Sequence, residues 1–238
     1  MTLLFAALAV AFSALIGGAT GFASSLLATP ALLLLGYDVP LVVTVNLSAT
    51  LVSRILVVCR SWRSIEPRRI GLLVAGSAPG AVLGALTVGL VPAQLLRILA
   101  GVTVAALGLL LLLPSAGRVP GRTSHVATGL ASGYLATSVS LNGPPVAALL
   151  SRADLPVRRF IANLACYFIT TNLISLAALA LSGGIPAHGL LPLLPILLVA
   201  AVAGNQLGTA VSALLPRKAF KVVVAVLVIA SGVATACA

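Results

Sequence analysis

The sequence predicts an all-α polytopic membrane protein of two inverted repeats, each a re-entrant broken-helix hairpin followed by three transmembrane helices. Three observations carry this. Apolar residues make up 61% of the 238 positions and charged residues 7%, whereas soluble domains carry roughly a quarter charged residues. Basic residues gather in four loops. Glycine, proline and asparagine recur at matching places in the two halves. The composition excludes a soluble enzyme, which needs polar groups to cover its surface, and a disordered chain, which needs charge. The net charge of +11 would suggest nucleic acid in a soluble protein. Here it reads as the cytoplasmic bias of membrane loops, and no nucleic-acid partner is expected.

Eight apolar stretches follow in order: 3–35, 41–59, 70–90, 94–113, 126–150, 160–182, 189–213 and 218–237. A spanning helix needs about 20 apolar residues, and two stretches depart from that pattern. The first, 3–35, is too long for one span and too short for two, and is interrupted by Gly17-Gly18-Ala19-Thr20-Gly21. Its pieces of roughly 13 and 11 residues are each too short to cross a ~30 Å core. The fifth, 126–150, is broken at Asn142-Gly143-Pro144-Pro145. Both read as hairpins whose tips lie near the bilayer midplane. The start of the chain lacks the basic region of a cleaved signal peptide, so the first stretch is taken as part of the fold.

Charge parity supports the hairpins. The basic loops hold Arg60, Arg63, Arg68 and Arg69; Arg118 and Arg122; Arg152, Arg158 and Arg159; and Arg217, Lys218 and Lys221. All four should face the cytoplasm. Only 126–150 lies between the second and third, so it must enter and leave on one side. This arrangement keeps every basic residue inside except Arg97, outside, and Arg54, within a span.

The halves also correspond. At one constant offset Gly80 maps to Gly204, Gly84 to Gly208, Pro92 to Pro216 and Gly108 to Gly232. With small gaps, Thr29-Pro30 maps near Gly143-Pro144, Asp38-Val39-Pro40 onto Asp154-Leu155-Pro156, and Asn46-Leu47 onto Asn163-Leu164. The repeats are set at 1–113 and 125–238, with a cytoplasmic linker at 114–124. Three spans per half make the second half inverted, and inverted repeats with broken helices point to a secondary transporter.

Helix N-termini expose unpaired N–H groups and partial positive charge, which suits an anion. Asn142 reads as an N-cap, Gly143 as a point of close backbone approach, and Pro144 as a first-turn residue. In the first hairpin Gly21, Ser24 and Ser25 occupy the corresponding place. These residues serve equally well as caps satisfying backbone groups that lipid cannot. Asn46 and Asn163 lie one to two turns into equivalent helices and either contact substrate or join neighbouring helices. Thr44, Ser48, Thr170, Thr171 and Asn172 are weaker candidates. Arg54, about 9 Å deeper than Arg60, is expected to snorkel to the interface; facing the pocket to attract an anion is the alternative. Gly76, Gly80 and Gly84 read as a helix-packing face. His125 and His188 are placed at loop edges. No carboxylate lies deep in a span, which argues against a carboxylate proton relay or an acidic cation filter. There is no nucleotide-binding loop. Cys59, Cys166 and Cys237 read as small hydrophobes, and no metal or other cofactor is expected.

The order Gly21-Phe22-Ala23-Ser24-Ser25, Thr44-Val45-Asn46-Leu47, Gly129-Leu130-Ala131-Ser132-Gly133, Asn142-Gly143-Pro144-Pro145 and Asp154-Leu155-Pro156 resembles the sulfite exporter TauE/SafE family. Members usually carry more glycine where this chain has Ala23-Ser24-Ser25, and a second glycine where it has Asn142. The resemblance implies a multi-pass protein of the bacterial cytoplasmic membrane that moves sulfite or organosulfonates such as sulfoacetate outward. The expected partners are the lipid bilayer, a small anionic substrate and, left open, a second copy of the chain. An importer, a carrier of another solute and a non-transporting scaffold are the alternatives; an enzyme is not expected.

Overall fold

The computed structural model describes residues 2–87, 121–153, 155–186 and 189–212, with isolated positions between 90 and 109 and between 222 and 233. The spans expected at 94–113 and 218–237, and most of the linker, lie outside the described residues. The rest is helical: α1 (Thr2–Thr20), α2 (Ser24–Leu34), α3 (Val39–Ser61), a 3-10 turn (Trp62–Ser64), α4 (Pro67–Thr87), α5 (Arg122–Val139), α6 (Gly143–Ser151), α7 (Val157–Leu181) and α8 (Leu190–Ser212). Five of these segments are long and apolar enough to cross a membrane: Thr2–Thr20, Val39–Ser64, Pro67–Thr87, Val157–Leu181 and Pro192–Val211.

Local chemistry sets the boundaries. Asp38 is extended and Pro40 falls in the first turn of α3, where a missing N–H has no consequence. Pro144 does the same for α6, and Pro156 precedes α7. The first hairpin turns at Gly21, with φ of 93°, a conformation natural to glycine. The second turns at Ser140, with φ of 62°, where an L side chain is uncommon. Ser140 N–H bonds the Ala136 carbonyl and Leu141 N–H bonds the Leu135 carbonyl, closing the end of α5 as a left-handed cap does.

Both sequence interruptions therefore form helix–turn–helix units, but the first is displaced from its expected position. Gly17 and Gly18 lie inside α1, whose 19 residues extend about 28 Å. The hairpins thus have unequal arms, α1 with α2 and α5 with α6. The short arms fold back: Leu32 of α2 shares a core with Ala6 and Val10 of α1. Likewise Leu150 of α6 shares one with Leu73 of α4, whose carbonyl faces Gly129 of α5.

Two tight helix pairs frame the fold. On α8, Gly204 faces the Ala11 carbonyl and Gly208 the Leu15 carbonyl of α1, so α1 and α8 run in the same direction. On α4, Gly76, Gly80 and Gly84 face the carbonyls of Val126, Leu130 and Tyr134 of α5, and this pair is also parallel. Small residues permit such backbone approach, which drives association where lipid supplies no hydrophobic force. Between the pairs α3 packs on α7. The surface is apolar: Leu4, Phe5, Leu8 and Phe12 are exposed on α1, and Val199 and Leu207 on α8. Polar side chains, among them Asn46, Asn142, Asn172 and Asn205, are buried.

Candidate functional site

The two hairpin tips meet. A Cβ at Gly143 would stand 3.1 Å from both the Cβ and the carbonyl oxygen of Phe22, so only glycine permits this approach without displacement. Gly21 rests on the start of α7, where an added Cβ would lie 3.3 Å from side-chain atoms of Ile161 and Leu164. The second tip rests against α2: Ser140 Oγ and Thr29 Oγ1 are 3.5 Å apart. Asn46 Nδ2 donates to the same Thr29 oxygen at 2.9 Å. This side of the seam thus joins the second tip to α2 and α3 through three buried polar groups.

The other side of the seam is built on Asn142. Asn142 stands at the N-cap position of α6 but makes no side-chain cap bond. Its Nδ2 instead donates to Asn172 Oδ1 on α7 at 2.7 Å. Asn172 Nδ2 then donates to the Leu47 carbonyl on α3 at 3.1 Å. Behind the tip, Tyr167 OH donates to Ser132 Oγ at 2.7 Å, and Ser132 Oγ donates to the Asn142 carbonyl. The second tip is thereby tied to α5, α7 and, through Asn172, α3.

Arg54 overturns the snorkelling expectation, since it is 0% exposed. The side chain is buried within the bundle instead of reaching along the ~9 Å to the level of Arg60. Its Nη2 donates to the Gly17 carbonyl in α1 at 2.8 Å, and its guanidinium carbon lies 5.9 Å from the Phe168 ring centroid. Nε and Nη1 are buried without a hydrogen-bond partner. Among the described residues the one carboxylate ion pair is Glu66 with Arg69, so no described acid neutralises Arg54. Next to it, Asn205 Nδ2 of α8 donates to the Ser53 carbonyl at 3.0 Å.

Asn163 is differently employed. It lies on the turn that carries Ile161 and Leu164, fully buried. Its Oδ1 accepts the Glu66 N–H at 2.8 Å and its Nδ2 donates to the Arg159 carbonyl at 2.9 Å. Both ends of the amide are thus engaged in holding the chain that enters α4. Ser24 is half-buried and Ser25 buried at the start of α2, while Pro144 is buried in the first turn of α6.

Sequence reasoning passed over Thr29, Ser132, Ser140, Tyr167 and Asn205. For Thr29 a signal exists, because Ser25, Thr29 and Leu32 fall at helical spacing on one face and are all buried. Ser140 carries no comparable signal, since its role follows from a left-handed conformation that favours glycine.

An apolar exterior around a buried seam of amides and hydroxyls, with broken helices meeting in it, defines a polytopic membrane protein. The family model described as Sulfite exporter TauE/SafE matches residues 5–235, and the chain belongs to that family. It is a membrane transporter of the bacterial inner membrane. It is 31% identical over 179 residues to the probable inner membrane transporter protein TsaS of Comamonas testosteroni, covering 72% of this chain and 73% of that protein. No solved structure matches.

Proposed function

We propose that this transporter exports sulfite or a small organosulfonate such as sulfoacetate, and that the anion occupies the seam between the two tips beside Arg54. The observation that carries this reading is the guanidinium of Arg54: fully buried, with two nitrogens lacking acceptors. A buried cation without a counter-charge is costly. An oxyanion supplies both the missing charge and the missing acceptors. Gly21, Ser24, Ser25, Asn46, Asn142, Gly143 and Pro144 line the tips and their approaches. Asn163 completes the set by fixing the turn on which the first tip rests. The chain carries transport and no catalysis.

The halves are read as inverted repeats. Supporting this, Ala11 and Leu15 stand to Gly204 and Gly208 as Leu130 and Tyr134 stand to Gly80 and Gly84. Because α1 runs with α8 and α4 with α5, the leading helix of each half lies along the last described helix of the other. Export then follows the membrane potential, which contributes ~2.3 kcal/mol per 100 mV for each negative charge moved outward.

Flux in proteoliposomes tests the proposal, offering sulfite, sulfoacetate and taurine with chloride as competitor. Saturable flux of sulfite or sulfoacetate, lost in Asn46→Ala/Asn142→Ala, is expected. Flux that persists in the double variant contradicts a site at the tips. No flux from folded protein under potentials of either sign contradicts a self-sufficient carrier of these anions.

A further inference from the structure

A second cationic feature lies away from the tips. A cavity of about 530 Å³ is lined by Arg68, Arg69 and Arg122, together with His125 and Glu66. Its volume falls within the range of small-ligand sites. Arg68 and Arg69 lie in the first turn of α4 and Arg122 opens α5, and neither first turn carries an acid. Guanidinium groups at the positive ends of two helices oppose the macrodipoles. Among the described residues lining the cavity the sole carboxylate is Glu66; it stands 3.3 Å from Arg69 Nη1, yet that nitrogen is buried without an aligned hydrogen bond. Arg68 and Arg122 are then left without a carboxylate among the described residues of this cavity. His125 is buried, and its Nδ1 donates to the Gly121 carbonyl at 2.8 Å, which leaves Nε2 as its remaining polar atom. A general excess of basic residues on one side of a membrane places arginines in loops; it does not account for three that converge from two helices on one cavity.

The surroundings add an apolar component. Ile65 and Leu72 also line the cavity. Val126 and Leu130, one and two turns further along α5, are exposed, giving an apolar track that leads away from the arginines.

We propose that this cavity binds the phosphoryl headgroup of an acidic phospholipid from the cytoplasmic leaflet, with an acyl chain along Val126 and Leu130. Arginine forks match phosphate oxygens in pairs, and basic pockets between membrane helices on the cytoplasmic side suit such headgroups. The site is separate from the seam at the tips and does not depend on the substrate assigned there.

Native mass spectrometry of the purified full chain tests this, titrating phosphatidylglycerol and, separately, phosphatidylcholine. Retained phosphatidylglycerol is expected for the unmodified protein and no retained phosphatidylcholine. Arg68→Ala/Arg122→Ala should weaken retention about tenfold or more. Arg68→Lys/Arg122→Lys, which keeps the charge and is the milder change for folding, should fall between the two. Arg63→Ala/Arg158→Ala removes equal charge outside the cavity and should leave retention unchanged. Equal losses in the two alanine pairs would overturn the site in favour of diffuse attraction. A parallel arm adds inorganic phosphate alone: displacement of the lipid by equimolar phosphate would overturn the lipid as occupant and assign the cavity to a soluble anion.

Discussion

Arg54 holds its guanidinium in a setting that folding alone does not reward. Each buried donor without a partner costs roughly 1–3 kcal/mol, and Nε and Nη1 both stand so. Arg54→Met should therefore raise thermal stability, by roughly 1–3 kcal/mol after loss of the Gly17 bond, while abolishing sulfite transport. Thermal unfolding and flux on the same preparation check this; a less stable variant would mean that Arg54 is structural. Asn163 behaves oppositely. Its amide closes the Glu66 connection, so Asn163→Ala should lower stability by about 1 kcal/mol and leave the KM for sulfite unchanged. A KM that rises with stability intact would place Asn163 in contact with substrate. The sequence offered two orientations for Arg54, snorkelling and pocket-facing. A spacing of six residues from Arg60 does not say which neighbour a helix turns toward. Asn142 was legible as a cap position. Its bond to Asn172, 30 residues away, depends on tertiary packing and was not.

At the scale of elements, glycines play two roles that look alike in sequence. Gly21 turns the chain; Gly17 and Gly18 continue α1 because neighbours need their missing side chains. A Cβ at Gly17 would run into Ser24, and one at Gly18 into the Asn205 carbonyl. That is why the first hairpin arm was expected too short. The recurring Gly76, Gly80 and Gly84 read in sequence as a packing face, since a four-residue period places them on one side of a helix, and all three face the backbone of α5. Gly80→Leu or Gly204→Leu should prevent assembly of its helix pair, seen as loss of the monodisperse protein in detergent chromatography. Gly71 has nothing within 4 Å of an added Cβ, so Gly71→Ala should stabilise α4 by about 0.5–1 kcal/mol. Equal tolerance at all three positions would contradict glycine-mediated packing.

For the whole molecule, the membrane class was plain from composition alone, because apolar residues outnumber any soluble core. Orientation rests on the basic loops and leads to a sidedness expectation. In a chain freed of its native cysteines, Gly36→Cys should react with an impermeant thiol reagent from outside, and Arg152→Cys only from inside. Labelling of both from one side would contradict the re-entrant second hairpin.

Direct titration of the purified protein with sulfite and sulfoacetate, the unmodified chain beside Arg54→Gln, is the measurement that reaches the site itself. Saturable binding of either anion, absent in a folded Arg54→Gln protein, is the expected result. Equal affinity in both proteins would contradict a sulfur anion held against the buried guanidinium.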